Sequence, residues 1–383
     1  MDRNIPETHF SAVELGVYDG CSFVVTTERE SIASTPVSYK LQCSSPSKLE
    51  PEQAASIDPS RLPSNLIVID SVFSGKGRRA ETDFAGVVIE PLFRKLNVQH
   101  QFVKTSSPHS IRDIASSLDA KSQYTILFLS GDTSISEFVN HLPSSHSNIS
   151  IVPFPMGTGN AWATSLKLTD PAVILSQFLK GSLQTHQFPL YKATFANGLS
   201  IKFFIILSLG FHANLLHLCE EHEYQQMGVE RFRIASQRIL DSYALNSHVS
   251  IPNTLQGSYS YFVLINTTHL EPTYIPSPQS DPLNPPLHVL AYESSLSQSE
   301  FRKRLMNGYL NTLKTDIQEK GTIYKALPDS FEVYISDNPE ERHKFELCCD
   351  GQLLNLLDLN PSPDHTVSFK IETCTSPSLL VLC

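Results

Sequence analysis

The stretch YTILFLSGDTSISEFVNHLPSSHSNISIVPFPMGTGNAWATSL, residues 124–166, decides the fold. Its two apolar runs, YTILFLS and NISIVPFP, are rich in β-branched and aromatic residues and short enough to be buried strands. Each ends in a glycine-bearing turn, Ser130-Gly131-Asp132-Thr133 and Pro155-Met156-Gly157-Thr158-Gly159-Asn160. Each turn leads into a helical pattern, SISEFVNHL and NAWATSLKL. Toward the N-terminus NLIVID, FAGVVIEPLFRKL, VQHQFVKT and HSIRDIASSL continue the alternation. Strands alternating with helices predict a parallel, doubly wound α/β sheet, placed at residues 63–187.

The flanks read differently. In residues 1–62, VELGVYDGCSFVV carries a Tyr18-Asp19-Gly20 turn between two apolar runs, a hairpin signal, and a Ser/Pro/Glu-rich stretch over 44–64 reads as a linker. This β-rich extension is open to two readings, an extra β layer or a separate small module. From Phe188 strands dominate: LYKATFA, LSIKFFIILSLG, SYSYFVLINTT, HVLAYES, SFEVYIS, KFELCCDG, HTVSFKIET and SLLVLC. They predict an antiparallel β-sandwich over residues 188–383, with helical insertions near 213–244 and 297–316. The fold class is therefore α/β plus β.

Composition narrows the partners. The 383 residues carry 29 Lys+Arg against 39 Asp+Glu, a formal charge of −10. Such a chain is a poor binder of nucleic acid, which needs dense Lys/Arg to displace counterions, and a poor electrostatic binder of anionic lipid. Seven scattered cysteines form no CxxC pair, so neither a zinc ribbon nor a redox motif is spelled out. The start MDRNIPETHF has no signal-peptide pattern, and the longest apolar stretch, 203–211, is interrupted by Ser208 and falls short of the ~20 residues of a spanning helix. The expectation is a cytoplasmic protein with no transmembrane segment; its oligomeric state is not encoded in any motif.

A third glycine turn, Ser71-Val72-Phe73-Ser74-Gly75-Lys76-Gly77, follows NLIVID. In an open α/β sheet, ligands bind beyond the carboxyl ends of the strands, where all three turns sit. Glycine lets the backbone approach a phosphate, and helix N-termini favour its charge. Three such turns, one bearing Asp132, point to a nucleotide site with an acid beside it.

The set resembles the diacylglycerol kinase catalytic-domain superfamily, which includes the sphingosine and ceramide kinases. SGDTSISEFVN resembles that family's [SG]GDGT turn with a following Glu, and its leading Ser is similar to the sphingosine kinase form; PMGTGNAWATSL resembles PxGSGNALA. SLGFHANLL resembles GFxADV, MGVERF resembles G-x-x-RF, and CCDGQLL resembles VDGE. The matches come in family order over residues 65–355. The resemblance implies ATP- and Mg2+-dependent transfer of a phosphoryl group to a lipid hydroxyl at a membrane surface. The substrate would be a sphingoid base, or a neutral lipid such as diacylglycerol or ceramide. A soluble-substrate kinase such as an NAD kinase also uses a GGDG turn, but PMGTGNAW and the GFHAN and DGQ matches favour the lipid branch.

On this resemblance Asp132 is the base that accepts the proton of the acceptor alcohol. Ser74, Gly75, Lys76, Thr105, Ser130, Gly131 and Thr133 line the nucleotide side. Gly157, Thr158, Gly159 and Asn160 hold phosphate or ribose, and Asp350, Gly351 and Gln352 complete the nucleotide set. Arg231 pairs with a nucleotide phosphate, and Asn214 and Leu216 face the substrate. No carboxylate cluster spells out a metal site.

The chain departs from the family at four places. Thr133 replaces a glycine, which costs strain if that position needs positive φ. Gln352 replaces Glu, Ser71-Val72 replaces Asn-Pro, and Ala213-Asn214-Leu215-Leu216 replaces A-D-x-D. A sphingoid base is cationic and its buried ammonium calls for a carboxylate that Leu216 cannot supply and Asn214 only mimics. A catalytically weakened lipid- or nucleotide-binding relative is the alternative reading. Other residues read as structural: Ser134 to Glu137 as a capping box, Trp162 and Leu166 as core, His217 and His222 as a solvated helix face, and Cys348 and Cys349 on opposite faces of a strand, one of them core.

Overall fold

The computed structural model describes residues 9–29, 36–45, 55–75, 77–143, 145, 148–227, 230–242, 247–310, 319–360, 366–374 and 379–383. Strands β1 (His9–Tyr18), β2 (Cys21–Arg29) and β3 (Pro36–Ser44) form an antiparallel sheet of their own. Asp19 and Gly20 both take positive φ, 46° and 72°, so the hairpin between β1 and β2 closes on the two-residue turn that the Asp-Gly pair predicts.

The α/β unit then runs through β4 (Leu66–Asp70), α1 (Glu90–Lys95), β5 (Gln101–Lys104), α2 (Ser110–Ser117) and β6 (Tyr124–Ser130). It continues with α3 (Asp132–His141), β7 (Ile149–Pro155), α4 (Ala161–Ser165), α5 (Pro171–Leu179) and β8 (Thr185–Gln187). The strand order is β5-β4-β6-β7, all parallel. Leaving β4 the chain goes to one side for β5 and returns to the other for β6, so the order reverses at β4. That reversal opens a crevice at the carboxyl ends of β4, β6 and β7. The α5 helix was not singled out in the sequence, although its signals are present: Asp170 caps it through Ala172 N and Val173 N, and Pro171 occupies its first turn.

The second half begins with β9 (Leu190–Phe195), β10 (Ser200–Phe203) and β11 (Ile206–Gly210). A helical insertion follows, α6 (Phe211–Cys219), α7 (His222–Gln225) and α8 (Glu230–Ser242). Next come β12 (Ser247–Ile251), β13 (Leu255–Ile265), β14 (His288–Glu293), α9 (Gln298–Leu310), β15 (Thr322–Ala326) and β16 (Ser330–Ser336). The chain ends with β17 (Glu346–Cys349), β18 (Gln352–Asn355), β19 (Thr366–Cys374) and β20 (Leu379–Leu382). Strands β9 to β19 make one large antiparallel sheet, branched where β13 pairs with β11, β12 and β14.

Two expectations change here. The last strand does not stay in the 188–383 unit: β20 leaves it and lies parallel to β7, with β8 antiparallel on its other edge. Its Leu379 and Val381 are buried in the α/β core, and an apolar strand carries no local mark of which sheet it joins. Cys348 and Cys349 are both fully buried, because β17 is covered on both faces.

The described strands β1 to β3 dock on the α/β unit. Ser176 of α5 donates to the Glu14 carbonyl at 2.7 Å, Arg29 pairs with Asp170 at 3.0 Å, and the Tyr39 ring meets Phe84 edge-on at 4.9 Å. The Asp170 carboxylate thus caps α5 with one oxygen and docks the N-terminal sheet with the other.

The placement of β20 has a direct test. Val381→Asp puts an unpaired charge in the α/β core and is expected to lower unfolding stability by several kcal/mol, read as a urea midpoint. An unchanged midpoint would mean that β20 does not belong to that sheet.

Candidate active site

The three glycine turns converge, and one side chain joins them. Arg78, just past the first turn, is largely buried; its Nε donates to Asp70 Oδ1 at 2.9 Å at the end of β4. Its Nη1 donates to the Ser74 carbonyl at 3.2 Å and the Met156 carbonyl at 3.5 Å, and its Nη2 to the Leu129 carbonyl at 3.0 Å. A single guanidinium therefore touches the backbone of all three turns. Burial pushes the Asp70 carboxyl up and the Arg78 charge opposes the rise. Among the described residues Asp70 Oδ2 is buried with no hydrogen-bond partner, so the ion pair is the carboxylate's main compensation there. The sequence analysis missed Arg78; an arginine one residue after a glycine turn that follows an apolar strand ending in Asp was the available signal.

The predicted residues around that node fall into place with altered roles. Thr105 accepts from Val72 N at 3.2 Å and so supports the base of the first turn. Ser74 bonds to Ser71, and Ser71 bonds to Ser134 of α3. Ser134 therefore lies inside α3, which starts at Asp132, and the predicted capping box does not form. Lys76 lies outside the described residues. The glycines serve turn-to-turn packing: a Cβ on Gly157 would stand 2.4 Å from Gly131 Cα, and one on Gly75 would stand 2.8 Å from the Met156 carbonyl oxygen. Asn160 is left-handed (φ 52°), and its side chain closes on its own turn, accepting from Gly157 N at 2.7 Å and donating to the Gly157 carbonyl at 2.9 Å. It shapes the turn rather than reaching outward. The backbone N–H groups of Thr158 and Gly159 take no hydrogen-bond partner among the described residues, which suits an anion.

Asp132 and Asp350 meet at the junction of the two halves. Asp132 Oδ2 accepts from Ala161 N at 2.7 Å and Oδ1 from Trp162 N at 3.2 Å, so it caps α4 from across the turn. Burial pushes its carboxyl up, and those two N–H donors oppose the rise. Asp350 and Gly351, both at positive φ, form the two-residue turn between β17 and β18. Asp350 accepts from Phe204 N at 2.8 Å, Ile205 N at 3.1 Å and Ile206 N at 2.7 Å, bracing the break between β10 and β11. Burial pushes this carboxyl up to about 7 against those donors, and the charge of Asp132 adds to the rise. Trp162 and Phe204, whose N–H groups these carboxylates hold, meet edge-on at 4.8 Å, and Trp162 is core, as is Leu166.

Thr133 is a helical residue of α3 and is not at positive φ, so the feared backbone strain is absent. Its side chain instead lies against Gly351, where a Cβ would approach Thr133 Oγ1 to 2.5 Å. Ser130 is buried at the end of β6, and its carbonyl accepts from Met156 N at 3.1 Å. Gln352 is exposed. Arg231 sits on α8 at 3.8 Å from Glu220 and over the Phe232 ring; its described contacts stay within the helical insertion and do not reach the glycine turns. Asn214 is buried on α6, Leu216 is half-buried there, and His217 is half-buried rather than solvated, near Glu346. Among the described residues no three His, Cys, Asp or Glu side chains converge to hold a metal, so they do not by themselves fit a protein-held Mg2+.

Comparison with known proteins agrees with this geometry. Residues 65–188 match the family model of the diacylglycerol kinase catalytic domain. The superfamily resemblance carried by the motifs thus holds for the α/β unit. Sphingosine kinase B of Dictyostelium discoideum is 30% identical over 98 residues, 24% of this chain but only 13% of that protein's length. A diacylglycerol kinase structure from Bacillus anthracis str. Sterne superposes with a TM-score of 0.55 at 14% identity, over 83% of this chain and 96% of that one. A second structure from the same organism gives 0.58 at 13% identity over the same shares. Those two likenesses establish a shared two-part fold.

Two outcomes follow from the site. Arg78→Leu strands the buried Asp70 charge and is expected to cost about 3–5 kcal/mol, most of it recovered in Asp70→Leu/Arg78→Leu, both read by urea unfolding. Asp350 binds a proton more readily folded than unfolded (~4), so its contribution falls as pH rises from about 4 to 7 and is flat above. The stability advantage of wild type over Asp350→Asn should therefore shrink between pH 5 and pH 8; an advantage that grows would refute this titration.

Proposed function

We propose that the chain is an ATP-dependent lipid kinase that transfers the γ-phosphoryl group to the hydroxyl of a membrane lipid. The observation that carries this reading is the convergence of three glycine turns, with free Thr158 and Gly159 N–H donors, on a half-buried Asp132 at the mouth between the α/β unit and the antiparallel sheet. Phosphoryl transfer asks mainly for positioning and for donors around the phosphate oxygens, and the turns offer both.

In the proposed step the acceptor oxygen bonds to the γ-phosphorus while the bond from that phosphorus to the β-bridging oxygen breaks. ADP leaves with the electron pair, and the hydroxyl proton passes to Asp132. A carboxylate accepts at about four lone-pair positions, so the two backbone donors leave Asp132 room for that proton. Its raised proton affinity suits the task. Asp350 stays buried beside it, its own carboxyl raised by burial and by the charge of Asp132, and holds β10 and β11 in place. Mg2+ belongs to the reaction as a companion of the nucleotide phosphates, which hold it with few protein ligands. Thr133 takes an unstrained helical backbone, which supports an active enzyme over a weakened one. The lipid is met at a membrane surface: among the described residues no helix is long and apolar enough to cross one.

The test is phosphoryl transfer from labelled ATP with Mg2+ to sphingosine, ceramide and diacylglycerol in mixed micelles. Label should enter at least one lipid, and Asp132→Asn should lower the rate by roughly 10²–10⁴-fold with ATP affinity kept. Absence of both lipid labelling and ATP binding would overturn the reading; a full rate in Asp132→Asn would overturn the assignment of the base.

A further inference from the structure

The core-facing side of the N-terminal sheet ends in two thiols. Strand register pairs Phe23 with Cys43, Val25 with Leu41 and Thr27 with Tyr39, so these six side chains share one face. Phe23, Val25 and Tyr39 are buried in the same core as the α/β strands, Leu41 is half-buried and Cys43 is exposed, so the packing runs out at the Cys43 end. Cys21, half-buried, is the next residue of that face beyond Phe23. It lies diagonal to Cys43 across the strand pair, and diagonal neighbours come within side-chain reach. The two thiols are free and share a hydrogen bond, which together with burial pushes the Cys21 thiol up; the Lys95 ammonium at the end of α1 opposes the rise. Cys219, Cys348 and Cys349 are buried, out of reach of a solvent-borne reagent.

The β2–β3 ladder ends at the Ser22–Ser44 pair, and the Asp19-Gly20 turn lies directly beyond Cys21, so the backbone there can give the small approach that a disulfide requires. We propose that Cys21 and Cys43 are a redox-sensitive dithiol, converted by a low-molecular-weight disulfide such as oxidised glutathione into an intramolecular bridge between β2 and β3. In the first step the exposed Cys43 thiolate attacks one sulfur of oxidised glutathione and releases one glutathione thiolate. The Cys21 thiolate, favoured by the nearby Lys95 charge, then attacks the Cys43 sulfur and releases the second. One disulfide is reduced, one is formed, and the two cysteine protons end on the two glutathione thiols. The bridge acts on the α/β unit through β3. Tyr39 N donates to the Glu81 carbonyl at 2.9 Å and the Tyr39 ring meets Phe84, so β3 braces the stretch that follows Arg78. Tying β3 to β2 holds that brace in place.

The test uses the full chain without ATP or lipid, so its outcome is independent of the kinase reading. Reduced protein is equilibrated in buffers of stepped oxidised-to-reduced glutathione ratio, quenched in acid, alkylated and digested for mass spectrometry. A linked Cys21–Cys43 peptide should dominate the oxidised protein and disappear in dithiothreitol. In Cys21→Ser the second displacement has no thiol, so Cys43 should remain as its glutathione mixed disulfide. Cys21→Ser and Cys43→Ser should each keep the wild-type melting temperature under reducing conditions, which shows that they are folded. Hydrogen exchange at the Tyr39 amide should slow at least roughly tenfold in the bridged protein, because the bond restricts the openings that free β3. The same oxidant should leave that rate unchanged in Cys43→Ser. Bridges scattered over the other cysteines, a wild-type Cys43 left glutathionylated, or no oxidation at all would overturn the dithiol. An unchanged Tyr39 rate in the bridged protein would overturn its hold on β3.

Discussion

The guanidinium of Arg78 joins three turns that share no covalent neighbourhood. It takes the Asp70 carboxylate at the end of β4 and the carbonyls of Ser74, Leu129 and Met156, so the first, second and third glycine turns are held in register by one planar group. Arginine is suited to this because its five N–H bonds lie in one rigid fork and it stays charged when buried. Gly75, Gly131 and Gly157 pack closely around this centre, and the shape of the candidate phosphate site follows from that packing.

The two halves of the molecule are coupled by a second device of the same kind. Asp132, half-buried, and Asp350, buried, are carboxylates bonded by backbone N–H groups, one at the start of α4 and the other at the break between β10 and β11. Each holds one partner of the edge-to-face Trp162–Phe204 pair. Asn140 of α3 adds paired bonds to the Lys202 backbone, and the Leu270 carbonyl approaches Gly159 closely. The cleft that would receive both substrates is thus lined by the groups that hold the halves together. A carboxylate placed for chemistry there is also a structural acceptor, and a substitution at it changes both.

Much of this was legible in the chain. The alternation of NLIVID, YTILFLS and NISIVPFP with helical segments gave the parallel sheet, because strand and helix periods differ and turn glycines punctuate them. The Asp-Gly pair at 19–20 marked a hairpin. What misled was the reading of residues whose partners are distant in sequence. Asn160 looked like a ligand-facing side chain and folds back on Gly157. Thr133 looked strained and is helical. Ser134 looked like a cap and bonds to Ser71. The destination of β20 was invisible, since Leu379 and Val381 would fit either sheet.

The sequence by itself determined the order of elements, the three glycine turns and the acid beside them, because turn chemistry and hydrophobic period are local properties. Only the tertiary structure decided that Arg78 ties those turns together, that Asp132 lies near enough to Asp350 to raise its proton affinity, and that Glu346 stands beside Asn214 and His217. Those juxtapositions join residues remote in sequence, such as Met156 with Arg78 and Glu346 with Asn214. They arise from strand order and burial, which set side chains of remote segments within hydrogen-bonding distance and raise the cost of leaving any of them unpaired.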